Sequence, residues 1–79
     1  MKVLIIIPAY NEQENILSTV NKIKEYSEEL DYIVINDGST DNTEKILIEN
    51  NIKHIKLINN LGIGGAVQTG YKYAYENGF

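Results

Sequence analysis

Cysteine, tryptophan and arginine are missing from the 79 residues, and proline, histidine, methionine and phenylalanine occur once each. Without cysteine there is no disulfide framework and no thiolate metal site. Lysine supplies all seven positive side chains against eleven acidic ones, for a formal charge of −4. No basic cluster stands out that would neutralise the phosphates of a nucleic acid. No apolar run approaches the roughly 20 residues of a membrane span. The first run, Val3 to Ile7, is too short for a secretory signal and is closed by Pro8. What remains is a soluble, acidic chain, for which the cytoplasm is the expected place.

The residues that are present describe a folded domain. Apolar residues make up 43% and charged residues 23%, the proportions of a globular protein. A chain this short buries only about 60% of the surface its unfolded form exposes. Residues 1–79 therefore read as one domain with a thin core, or as part of one.

Val3-Leu4-Ile5-Ile6-Ile7 is a β-branched run without polar alternation, the pattern of a strand covered on both faces. Pro8 is expected to end it. Asn11 with Glu14 three residues on has the spacing of a capping box, and Ile16, Val20 and Ile23 then fall on one helical face. Tyr32 to Ile35 repeats the buried-strand pattern. Asp41 with Glu44 repeats the capping signal, for a helix to about Asn50 with Ile46 and Leu47 inward. His54 to Ile58 alternates polar with apolar, as a strand nearer a sheet edge does. A last helix follows Asn59-Asn60-Leu61-Gly62, with Ile63, Ala66, Val67, Gly70 and Ala74 on one face and Gly78 placed as its C′ residue. Tyr71, Tyr73 and Tyr75 cannot all face one way and read as surface and partial core. The order β-α-β-α-β-α with right-handed crossovers predicts a parallel α/β sheet between helical layers.

In such a sheet ligands collect outside the carboxyl ends of the strands. Two acidic loops lie there, Pro8-Ala9-Tyr10-Asn11-Glu12 and Val34-Ile35-Asn36-Asp37-Gly38. Asp37 can accept hydrogen bonds from a base or a sugar; Asp-Gly after a strand is equally a turn. Tyr10 offers an aromatic face and Glu12 an acceptor for ribose hydroxyls, or else the two are a hydrophobic staple and a helix-dipole charge. Asp41 reads as a cap. Gly62-x-Gly64-Gly65 is neither a dinucleotide fingerprint nor a P-loop. Its glycines fit an anion such as a diphosphate at the helix entry, or close packing of helix on sheet. His54 reads as a surface residue.

Together Ile7-Pro8-Ala9-Tyr10-Asn11-Glu12, Val34 to Asp41 and Asn60-Leu61-Gly62-Ile63-Gly64-Gly65-Ala66 resemble the amino-terminal part of inverting family 2 glycosyltransferases, in the branch of dolichyl-phosphate mannose synthase and bacterial polyprenyl-phosphate sugar transferases. The resemblance covers essentially the whole chain. It implies the Rossmann-like nucleotide-binding half of a GT-A fold, arranged as a three-layer sandwich. Pro8, Ala9 and Tyr10 would line the base pocket, Glu12 would meet the ribose or base, and Asp37 would hydrogen-bond the base. Gly64 and Gly65 would let the helix entry approach the nucleotide. The donor would be a UDP- or GDP-linked sugar, and the parent enzyme would sit in the cytoplasm or at the inner membrane face.

The family's Asp-x-Asp strand, which holds Mg²⁺ or Mn²⁺ against the diphosphate, has no counterpart before Phe79. The chain is therefore expected to hold no metal and to supply no catalytic residue by itself. A non-catalytic module is the alternative. In it the apolar Val3 to Ile7 strand, left as an open edge, recruits a second copy into a homo-oligomer. A sugar nucleotidyltransferase is a weaker alternative, since those enzymes need a glycine- and arginine-rich loop where this chain has Pro8-Ala9-Tyr10.

Overall fold

A computed structural model describes residues 3–26 and 30–79. Six elements alternate in chain order: β1 (Leu4–Ala9), α1 (Ile16–Tyr26), β2 (Asp31–Asp37), α2 (Thr43–Glu49), β3 (His54–Leu57) and α3 (Gly62–Glu76). The three strands form one parallel sheet in the order β1-β2-β3. This is the Rossmann-like α/β arrangement expected from the run of elements. The strand with polar alternation, β3, lies at an edge, and β2 lies between the other two.

Alternation along the strands divides the core into two. Ile7 and Ala9 of β1 with Tyr32 and Val34 of β2 face Ile16 and Val20 of α1 and Leu47 of α2. Leu4 and Ile6 with Ile33 and Ile35 face the other way, toward Ala66 and Tyr73 of α3. The sheet is thus sandwiched between α1 and α2 on one face and α3 on the other. Val34 and Ile35 are fully buried on opposite faces of one strand, which is why β2 carries no polar residue between Ile33 and Ile35. A Cβ at Gly70 would overlap Cγ2 of Ile6, so that glycine sets how closely α3 lies on β1.

Four local expectations are corrected. Pro8 does not end β1: it pairs in register with Ile35, and Ala9 with Asn36. A strand at a sheet edge tolerates a residue without an N–H. Asn11 is not the cap of α1, which begins at Ile16. The Glu12 carbonyl instead accepts the N–H groups of Asn15 and Ile16 in a turn that leads into the helix. Ile63 does not join the inner face of α3; it is 76% exposed and lies toward the carboxyl end of the sheet, while Ala66 and Gly70 are buried. His54 is half-buried, not a surface residue. Its Nδ1 lies 2.7 Å from the carbonyl of Ile52, which can only accept, so Nδ1 carries the proton. Gly78, with φ +80°, takes the left-handed conformation expected after a helix end.

Candidate functional site

Three loops leave the carboxyl ends of the strands and meet above the sheet. The β1–α1 loop (10–15) and the β2–α2 loop (38–42) are tied by reciprocal bonds. The N–H of Asn11 donates to Ser39 Oγ at 3.0 Å, that of Glu12 to Thr43 Oγ1 at 2.9 Å, and that of Gln13 to Asp41 Oδ2 at 3.3 Å. In return the N–H of Thr40 donates to Asn11 Oδ1 at 2.8 Å and that of Asn42 to Gln13 Oε1 at 3.0 Å. The side chains of one loop satisfy the backbone of the other, so neither loop depends on its own helix alone.

The β3–α3 loop (58–61) is held from β2. Asp37, 3% exposed at the last position of that strand, accepts the N–H of Leu61 on Oδ1 at 2.7 Å. Gly38 follows with φ +70°, and a Cβ there would stand 2.6 Å from the backbone N of Asn60. Only glycine fits both the conformation and the approach. Asn60 in turn accepts the N–H of Gly62 on Oδ1 at 2.9 Å, where the chain turns into α3 with φ +80°.

Asp41 is not the N-cap of α2 read from the sequence: that position is Asn42, which makes no side-chain cap bond. From one residue earlier, Asp41 Oδ1 accepts the N–H of Thr43 at 2.9 Å, at the first residue of the helix, and also the Thr43 hydroxyl. Burial pushes the Asp41 carboxyl up, but the bonds from Thr43 and from the N–H of Gln13 outweigh it and hold the group below the usual carboxylate range.

Between the loops opens a cavity of about 320 Å³, at the small end of small-molecule sites. Pro8, Tyr10 and Glu12 line it from the first loop, Asp37 from β2, and Asn60, Gly62 and Ile63 from the third loop. Four of the residues read from the sequence as nucleotide-binding therefore share one wall-to-wall space. Ala9 is not on its surface: it is buried beneath, among Ile16, Val20 and Val34. Gly64 and Gly65 stand beyond the rim on the first turn of α3. A Cβ at Gly64 would meet nothing within 4 Å, whereas one at Gly65 would press on Leu61 Cβ at 2.6 Å.

Gly62 belongs to the glycine-rich helix entry read from the sequence, whereas Asn60 and Ile63 carry no site role there, although Asn-Leu-Gly after a strand is a turn signal at the right end of the sheet. Among the described residues no three of His, Asp, Glu or Cys come together to hold a metal ion.

Residues 4–77 match the model of glycosyl transferase family 2. The chain belongs to glycosyl transferase family 2. Similar to this family member are a UDP-N-acetylglucosamine–dolichyl-phosphate N-acetylglucosaminyltransferase of Methanococcus voltae, 38% identical over 96% of this chain and 37% of the relative, and an undecaprenyl-phosphate mannosyltransferase of Micrococcus luteus, 30% identical over 100% of this chain and 35% of the relative. A dolichyl-phosphate beta-glucosyltransferase of Trichomonas vaginalis is 38% identical over 82% of this chain and 23% of its own length. This family 2 chain thus spans about a third of the length of the curated relatives it matches. Among its described residues no helix is long and apolar enough to cross a membrane.

Proposed function

We propose that the chain is the nucleotide-recognition part of a sugar transferase, and that its cavity receives the nucleoside of a nucleotide-diphosphate sugar, linked to UDP or GDP. The observation that carries this reading is the meeting of Tyr10, Glu12 and Asp37 on one cavity at the carboxyl ends of parallel strands. Tyr10, 45% exposed at the rim, packs on the base. Glu12 accepts from ribose hydroxyls. Asp37 accepts a ring N–H of the base, having lone pairs beyond the one used by Leu61. Pro8 closes the floor above Ala9, and the first turn of α3 at Gly64 and Gly65 takes the diphosphate. The names of the relatives support a polyprenyl-phosphate acceptor for the parent enzyme; a Mg²⁺ or Mn²⁺ ion held elsewhere in that enzyme would neutralise the leaving group. Transfer proceeds with inversion: the acceptor oxygen bonds to the anomeric carbon as the bond to the diphosphate breaks and its electron pair leaves with the nucleoside diphosphate.

Amide-resolved NMR titration of the 79-residue chain with UDP and with GDP tests the reading. Shifts should cluster at Tyr10, Glu12, Asp37 and Asn60, with one base preferred. A well-dispersed spectrum that neither nucleotide perturbs would overturn it.

A second reading rests on a separate observation. Among the described residues β1 pairs with β2 alone, which leaves one edge of Leu4–Ala9 without a strand partner. An apolar edge of this kind adds a strand from another chain, and self-association through it is the function left if nucleotide binding fails. Sedimentation of a clean monomer at high concentration would sink that alternative.

A further inference from the structure

Asn11 holds an unusual conformation for a reason the cavity explains. Its φ is +52°, a region in which asparagine is among the few side chains tolerated without large cost. Its side chain turns toward the β2–α2 loop, where Oδ1 gathers the N–H of Thr40 at 2.8 Å, the N–H of Asp41 at 3.3 Å and the Thr40 hydroxyl at 3.4 Å. Its own N–H donates to Ser39 Oγ. The residues on either side, Tyr10 and Glu12, both line the cavity. One side chain is thus anchored on a neighbouring loop while its two flanking residues are presented to the space between the loops.

We propose that Asn11 is a positioning residue: its carboxamide oxygen, by fastening the β1–α1 loop to the β2–α2 loop, sets Tyr10 and Glu12 at the spacing a nucleoside requires. The inference rests on the nucleotide reading above for the identity of the ligand, but not for the fastening itself. What the role demands is an acceptor at Oδ1 and tolerance of the left-handed backbone. Aspartate keeps both. Glycine keeps the backbone and removes the acceptor, and alanine removes both. Wall residues that are held in place before binding raise affinity by sparing the ordering cost at the moment of contact.

The test compares the 79-residue chain with its Asn11→Asp, Asn11→Gly and Asn11→Ala variants. Titration with UDP and GDP gives affinity, and ¹⁵N heteronuclear NOE in the free chains gives the order of the Tyr10 and Glu12 amides. Glycine and alanine should weaken binding by about tenfold and lower the NOE at Tyr10 and Glu12, with the amides of α2 and α3 unmoved; aspartate should stay within about threefold. Should Asn11→Ala not fold, Asn11→Gly carries the comparison. Wild-type affinity and loop order in Asn11→Gly would overturn the proposal. So would an Asn11→Asp variant as impaired as Asn11→Gly, since the acceptor would then not be what matters. If the parent chain binds neither nucleotide, the proposed function falls. The fastening is then decided by loop order alone: a lowered NOE in Asn11→Gly upholds it and an unchanged one refutes it.

Discussion

The carboxylate of Asp37 and the backbone of Leu61 are joined at 2.7 Å, across 24 residues of sequence. The acid at the end of the central strand therefore fixes the third loop as well as facing the cavity. These two roles make different demands on the side chain, and substitution can separate them.

Asp37→Asn keeps an oxygen for the Leu61 N–H, whereas Asp37→Ala strands a partly buried donor, at a cost of about 1–3 kcal/mol. In urea denaturation the alanine variant should show the full loss and the asparagine variant a much smaller one. Nucleotide affinity should drop in both if the remaining lone pairs read a base N–H, because the amide NH₂ of asparagine would confront a donor. An asparagine variant that binds as well as the parent would confine Asp37 to holding the loop.

At Gly38 a side chain faces two obstacles, the φ of +70° and the backbone of Asn60 at 2.6 Å. Because the obstacle is main chain, relief requires moving the third loop. Gly38→Ala should destabilise by more than about 1 kcal/mol, with amide shifts spreading to Asn60 and Leu61. A melting temperature equal to that of the parent would contradict the packing described.

The glycines of α3 should divide by surroundings. Gly70→Ala gains roughly 1 kcal/mol of helix propensity but drives a methyl into Ile6 Cγ2, where overpacking costs about 1–3 kcal/mol. A net loss of stability is expected. Gly64→Ala meets nothing within 4 Å and should stabilise by up to about 1 kcal/mol. If it also weakens binding of UDP more than of uridine, the first turn of α3 takes the diphosphate. Equal effects on the two would count against that assignment.

Asp41 gives the pH dependence a sign. Its carboxyl is held below the ordinary value of 3.8 in the folded chain, so the folded state favours the ionised form more than the unfolded state does. The contribution is fully present above 3.8 and fades as pH falls through the lower folded value. Denaturant midpoints for the parent and Asp41→Asn should differ near neutrality and converge in acid. A gap that widens below pH 4 would mean the sign is wrong.

Much of this architecture was readable in the chain itself. The unbroken runs before Pro8 and before Asn36 marked strands with apolar neighbours on both faces, of which only the second is fully buried, over Ile33 to Ile35, while Leu4 to Ile7 are half-buried, and the acid that stops the second run marked the site. Periodicity carries such elements because each is local. The misreadings share a cause. Asn11 and Glu14 have cap spacing, yet the partners of Asn11 lie at Ser39, Thr40 and Asp41, and no local pattern records a bond across 28 to 30 residues. Pro8 reads as a stop because proline is foreign to an interior strand, and edge position is a property of the sheet. Ile63 fits the inner face by spacing alone, but it lies in the first turn of α3, where it lines the cavity and stays 76% exposed.

The mutual bonding of the first two loops also bears on how far either can travel. A loop stabilised by its own helix can be moved into another scaffold with that helix. The segment from Tyr10 to Gln13 cannot, because its donors are met by Ser39, Thr43 and Asp41. For protein engineering the smallest transferable unit is both βα units together, and exchanging one loop between relatives without its counterpart should yield a fold that keeps its sheet and loses its mouth.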